Sequence, residues 1–201
     1  MKIAVFGGTF DPPHNGHINL ARSVVTGNHA DRVLFIPSPN PPHKKHKRIS
    51  SFADRSAMLQ LAIQSETFFD WSNMEELRLP EPSYTVQTMA ELTGQYPNDE
   101  LFWLIGGDSL IQLHTWYKSS ELVSNYNLMT YPRPGEVVTL ANLQKNWQPD
   151  LAQKLFDSIL DLPVFNIAST NIRRDIQSGA DTSNLIDPLV AAYINAQKIY
   201  E

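Results

Sequence analysis

Short apolar runs alternate along this chain with stretches of helical periodicity. Residues 3–6 are a continuous apolar run, which predicts a buried strand, and residues 18–25 follow with helical character. Residues 32–36 repeat the strand pattern and stop at Pro37. Residues 52–63 place Phe52, Leu59 and Ile63 on one side, the pattern of an amphipathic helix. Residues 68–71 predict a short strand and residues 86–92 a helix. The run 101–105 is apolar at every position and bounded by Gly106-Gly107, which predicts a central strand covered on both faces. Residues 127–131 and 164–167 are further strand candidates. Asp187-Pro188 opens the last helix with a cap and a proline at the first helical position. Leu189, Val190, Tyr193, Ile194 and Gln197 then give that helix one mostly apolar face. Strand, helix, strand in repetition predicts an α/β chain with a doubly wound parallel sheet.

A length of 201 residues fits one ordinary domain, 1–201, with residues 168–201 as its small C-terminal helical part. With 42% hydrophobic and 18% charged residues, the chain can bury a core and is not of the disordered class. The formal net charge of −5 gives no global attraction to nucleic acid or to a membrane, so neither partner is expected, and any phosphate site must be local. The sequence has no cysteine, which excludes disulfides, thiolate metal sites and cysteine nucleophiles and fits a reducing compartment. The apolar start of the chain is too short for a signal peptide, and no run approaches the roughly 18 apolar residues of a membrane span. A cytoplasmic protein is expected, with a homo-oligomer left open.

In open parallel sheets the ligand lies at the carboxyl ends of the strands, near the point where the strand order reverses. The loops after the strands are therefore where chemistry is sought. The first reads Gly7-Gly8-Thr9-Phe10-Asp11-Pro12-Pro13-His14-Asn15-Gly16-His17. Two glycines directly after a buried strand let main-chain N–H groups approach a ligand closely. His14 and His17 are three apart and share a side of a helical turn, at a helix start that favours phosphate. Two such histidines could equally be a satisfied turn, whereas metal binding is disfavoured, since no third ligand is near in sequence and no HExxH is present. After the run 101–105, Asp108 puts a carboxylate at a strand end, suited to ribose hydroxyls or to capping the next helix. Trp116 could stack on a flat ring or belong to the core. Ser169-Thr170 precedes Arg173-Arg174 and reads as a helix cap with two hydroxyls and two cations in the first turn. Cations there are unfavourable unless an anion is bound, or unless they simply face water. The stretch 37–48 is rich in proline and basic residues, which taken alone indicates a solvated loop.

The first loop resembles the nucleotidyltransferase signature GxFDPxHxGH and matches every fixed position. Four later segments resemble bacterial nicotinate mononucleotide adenylyltransferase, in that family's order. They are Pro37-Ser38-Pro39-Asn40-Pro41-Pro42-His43-Lys44, Pro82-Ser83-Tyr84-Thr85, Ile105-Gly106-Gly107-Asp108-Ser109-Leu110 with Trp116, and Ile167-Ala168-Ser169-Thr170-Asn171-Ile172-Arg173. The resemblance implies a Rossmann-like fold and transfer of the adenylyl group of ATP to nicotinate mononucleotide, with release of pyrophosphate. It implies an ATP site at Gly7, Gly8, Thr9, Phe10, His14, His17, Gly106, Asp108, Ser169, Thr170 and Arg173. It implies a mononucleotide site at Lys44, Tyr84, Thr85 and Trp116, with His14, His17 and Arg173 acting on the reaction. Mg²⁺ is expected to arrive with ATP, held by phosphate oxygens and water, so no protein metal-ligand set is expected. Two positions depart from the family: Ala168 replaces the first serine of its ISST segment, and Gln87 stands where an acidic residue is common. Nicotinamide mononucleotide as substrate, dual specificity, a pantetheine-phosphate adenylyltransferase and a non-catalytic nucleotide sensor are the alternatives. The Pro82-Ser83-Tyr84-Thr85 segment and Trp116 oppose the pantetheine enzyme, and His14 and His17 oppose the sensor.

Overall fold

The computed structural model describes residues 1–42, 49–135 and 137–200. Five strands form one sheet: β1 (Lys2–Gly8), β2 (Arg32–Pro37), β3 (Phe69–Trp71), β4 (Glu100–Gly106) and β5 (Asn127–Tyr131). Their order across the sheet is β3-β2-β1-β4-β5, and every pairing is parallel. Nine α-helices are seen among the described residues: α1 (Asn15–Thr26), α2 (Phe52–Ile63), α3 (Thr85–Gln95), α4 (Gly107–Gln112), α5 (Ser119–Asn125), α6 (Leu140–Leu143), α7 (Pro149–Asp157), α8 (Ser169–Gln177) and α9 (Pro188–Gln197). The connections include the 3₁₀ turns Met74–Arg78 and Leu113–Thr115. The sheet is the doubly wound, Rossmann-like kind, and its order reverses between β1 and β4.

Alternation along the strands feeds two cores, one on each face. Ala4, Phe6, Val33, Phe35 and Leu104 join the core that includes Ile18, Leu59, Ile172, Val190 and Ile194. Ile3, Val5, Leu34, Ile36, Trp103 and Ile105 join the opposite core with Val86, Met89, Leu92 and Leu122. Both faces of β1, β2 and β4 are thus dry, which is why those segments carry unbroken apolar runs. Helix α2 follows its predicted pattern, with Leu59 and Ile63 buried, while Phe52 lies under the Arg55 guanidinium at 5.4 Å.

Two expectations are corrected. Residues 164–167 form no strand. The chain pairs with β5 only at Ile159, beside Thr130, and then leaves the sheet. Pro163 has no N–H to donate, Val164 is 51% exposed, and Phe165 and Ile167 pack on the core without a ladder. Their alternation reflects that packing, not a sheet. In α9, which Asp187 caps by accepting from the Leu189 N–H at 2.8 Å, the buried face is Val190 and Ile194, while Leu189 is 49% exposed. No helix among the described residues is long and apolar enough to cross a membrane.

Candidate active site

Two adjoining cavities open where the strand order reverses, at the carboxyl ends of β1 and β4. One, of about 390 Å³, is lined by the first loop with His14 and His17, by Gly106 and Asp108, and by Ser169, Thr170 and Arg173. The other, of about 520 Å³, is lined by Tyr84, Thr85, Trp116 and Tyr117. Residues Gly7, Gly8, Thr9, Trp103, Ser109 and Trp116 border both. The sequence-predicted positions therefore divide into two groups. All eleven expected around ATP line the first cavity, and Tyr84, Thr85 and Trp116 line the second. Lys44 lies outside the described residues.

The glycine at the end of β1 is a packing requirement. A Cβ at Gly7 would stand 2.3 Å from the Trp103 ring on the neighbouring strand. A Cβ at Gly106 would stand 2.5 Å from Asp108 Oδ1. Phe10 adopts φ 49°, a left-handed conformation unusual for a bulky residue, and is held there by edge contacts to Phe6, His17 and Phe35. That side chain is buried, so it shapes the loop more than it offers a surface.

His14 is the N-cap of α1 and His17 is its third residue. The two rings stack at 3.7 Å, with 23° between their planes. The His14 main-chain N–H donates to His17 Nδ1 at 3.2 Å. That bond requires a lone pair on Nδ1, which leaves the proton of a neutral His17 on Nε2. Burial, and then the charge of Arg133, lower the His14 pKa to about 4, so His14 is neutral at physiological pH.

Arg173 projects from α8, where Nη1 donates to the Asp11 carbonyl at 2.7 Å and Nη2 to Thr170 Oγ1 at 3.4 Å. Arg174 is 72% exposed and faces only Asp175, so the two neighbouring cations are not equivalent. The expected cap is corrected. The N-cap of α8 is Ala168, with no side-chain bond, and Ser169 Oγ instead donates to the Pro12 carbonyl at 3.0 Å. Ser169 thus ties α8 to the first loop. Asp108 does not cap α4, whose N-cap is Gly106, and its Oδ1 lies 3.6 Å from Arg133 Nε.

Several lining residues escaped the sequence reading. Trp103 lies inside the run 101–105, where its apolar character reads as core, yet its ring, packed against Gly7, lines both cavities. Arg133 donates to the Tyr131 hydroxyl at 3.1 Å and follows β5 directly, a strand-end position that could have drawn notice. In the second cavity the Tyr84 and Tyr117 rings stack at 4.3 Å. Glu75 is buried in its wall, accepts a hydrogen bond from Thr88 Oγ1, and lies 3.5 Å from Arg78. Burial pushes that carboxyl above the usual range, against the pull of the hydrogen bond and of Arg78. No group of three or more potential metal ligands occurs among the described residues.

The doubly wound sheet gathers imidazoles, hydroxyls and a guanidinium at its switch point, where the ligands of such sheets lie. The family model for cytidylyltransferase-like proteins matches residues 5–175. A nicotinate-nucleotide adenylyltransferase of Bacillus subtilis is 38% identical over 201 residues, covering 100% of this chain and 98% of the relative. A Neisseria gonorrhoeae protein described as a probable nicotinate-nucleotide adenylyltransferase is also 38% identical, with the same coverage. In fold, the chain is similar to Plasmodium falciparum nicotinic acid mononucleotide adenylyltransferase complexed with NaAD, with a TM-score of 0.79 at 17% identity over 99% of this chain and 97% of the other. The chain belongs to the cytidylyltransferase-like family and, within it, to the nicotinate-nucleotide adenylyltransferases.

Proposed function

We propose that this protein transfers the adenylyl group of ATP to nicotinate mononucleotide, giving nicotinate adenine dinucleotide and pyrophosphate, a step of NAD biosynthesis. The observation that carries this reading is the pair of cavities sharing the wall Gly7-Gly8-Thr9. Two nucleotides held on either side of that wall would bring their phosphates together at the glycines. The ATP side is the cavity of His14, His17, Asp108, Ser169, Thr170 and Arg173, and the pyridine side is that of Tyr84, Thr85 and Trp116. Residues 1–201 would act as one unit, because α8 contributes to the first cavity directly.

An oxygen of the mononucleotide's 5′-phosphate attacks the α-phosphorus of ATP in line. The bond from that phosphorus to the bridging oxygen breaks, and its electron pair leaves with pyrophosphate. The attacking phosphate is already ionised at neutral pH, so no general base is required. What remains is positioning and stabilisation of charge on the leaving group. His17 Nε2–H is a donor for that purpose, and Arg173 can bridge two oxygens at once. The lining residues suit phosphate oxygens and offer no cluster of carboxylates to a bare cation. Mg²⁺ would come with the triphosphate and neutralise part of its charge.

Preference for the acid follows from α3. Tyr84 is its N-cap, with its own N–H donating to the Pro82 carbonyl at 3.0 Å, and Thr85 and Val86 are its first residues, whose main-chain N–H groups lack intrahelical acceptors and where the dipole favours an anion. A carboxylate accepts from such groups with both oxygens, whereas an amide sets its own NH₂ against one of them. The test measures pyrophosphate release from ATP with nicotinate mononucleotide, nicotinamide mononucleotide or phosphopantetheine. We expect kcat/KM for the acid to exceed that for the amide by about ten- to a hundredfold, the worth of one charge-assisted hydrogen bond. Trp116→Ala should weaken both pyridine substrates alike, since stacking does not read the substituent. Equal values for acid and amide would overturn acid specificity, and no turnover with any of the three would leave a nucleotide sensor.

A further inference from the structure

The C-terminal turn carries one side chain back across the molecule into the first loop. Beyond α9 the chain turns through Lys198 and Tyr200, at φ 52° and 76°. Tyr200 Oη then donates to Asp11 Oδ1 at 2.6 Å, across 189 positions of sequence. Asp11 is 4% exposed, and its other carboxylate oxygen accepts from the Ser50 N–H at 3.3 Å. The main-chain carbonyl of the same residue accepts from Arg173 Nη1 at 2.7 Å. One residue thus meets the C-terminal phenol with its side chain and the proposed triphosphate-gripping arginine with its backbone. Burial, and then the Asp11 carboxylate, push the Tyr200 phenol pKa up, so it remains a donor throughout the neutral range.

We propose that Tyr200 is a positioning residue for the triphosphate site: its hydroxyl holds the Asp11 carboxylate, and thereby the carbonyl that sets Arg173. The inference rests on the reading of Arg173 as a phosphate ligand. Without the phenol oxygen, Asp11 Oδ1 is a buried carboxylate oxygen that has lost a donor. Leaving it so is costly enough for the side chain to turn towards water. The Asp11 peptide would turn with it, and the Arg173 guanidinium would lose its anchor.

Tyr193 supplies a control from the neighbouring helix. Its Oη donates to Asp54 Oδ1 at 3.1 Å, and Asp54 is bonded in turn to Ser51 rather than to the first loop. Tyr193→Phe therefore removes a similar bond away from Asp11. The experiment measures, by calorimetry, the Kd of a non-hydrolysable ATP analogue for wild type, Tyr200→Phe, Tyr193→Phe, Arg173→Ala and Tyr200→Phe with Arg173→Ala. Melting temperatures are taken alongside. Tyr200→Phe is expected to raise Kd about tenfold, the loss of one hydrogen bond to a charged group. Tyr193→Phe should leave Kd unchanged. In the Arg173→Ala background, Tyr200→Phe should add less than about twofold, because two residues acting through one contact are not additive. A Tyr200→Phe protein with a lowered melting temperature and an unchanged Kd would overturn the proposal, as would a full tenfold effect persisting with Arg173→Ala. Should Tyr200→Phe fail to fold, Asp11→Asn carries the same test, since its amide oxygen is a weaker acceptor for the phenol. If Arg173→Ala alone leaves Kd unchanged, the underlying reading of Arg173 fails, and that failure is visible apart from anything Tyr200 does.

Discussion

His14 should make this protein lose stability steeply as the pH falls below that of an ordinary histidine. In the unfolded chain its pKa is about 6.5. In the folded protein burial, and then Arg133, lower it to about 4. Above pH 6.5 both states hold a neutral imidazole, and the stability His14 confers is fully present. As the pH falls, the unfolded chain takes up a proton that the folded protein refuses, and stability is lost until the folded pKa is reached. At about 1.4 kcal/mol per pH unit, the interval corresponds to roughly 3 kcal/mol, of which about 2 kcal/mol is lost between pH 7 and pH 5. Other groups titrate over the same range, so the measurement is a difference. Urea unfolding of wild type and His14→Asn is followed at half-unit steps from pH 7 to pH 4.5. Asparagine suits the N-cap position that His14 occupies and does not titrate. Wild type should lose stability relative to the variant at that slope. A difference that stays flat across the range would refute the reasoning and mean that the folded protein accommodates a charged His14.

The remaining predictions concern the chemical step and the grip on ATP. His17→Ala should lower kcat by about 10²–10³, as for loss of one preorganised donor, while the Kd for ATP changes little; near-normal turnover would remove His17 from the mechanism. Arg173→Lys should be damaging, because an ammonium cannot reproduce both the Asp11 contact and a two-oxygen grip on phosphate. Arg174→Lys should be mild, since that side chain is largely solvated. Equal, small effects of the two on kcat/KM for ATP would show that neither arginine holds the triphosphate.

The periodicity of the sequence was enough for the strand-helix alternation, because a sheet dry on both faces requires unbroken apolar runs and its covering helices require apolar stripes. Residues 3–6, 32–36 and 101–105 are legible for that reason. The five loop segments were legible through their resemblance to a family, and each contributes residues to one of the two cavities, with Lys44 outside the described residues. Residues 164–167 misled, because side chains alternating over a core look the same whether or not the backbone joins a ladder. The three-residue spacing of His14 and His17 left phosphate binding and a simple turn open. The His14 N–H to His17 Nδ1 bond, set by a cap that only the folded loop provides, decided the tautomer. Trp103 lines both cavities with its ring against Gly7 on the adjacent strand, a placement that only strand pairing decides. The pairing of Tyr200 with Asp11 belongs to tertiary structure alone. No local rule connects the last turn of a chain with its first loop, and the bond exists because α9 packs against α2 beside that loop.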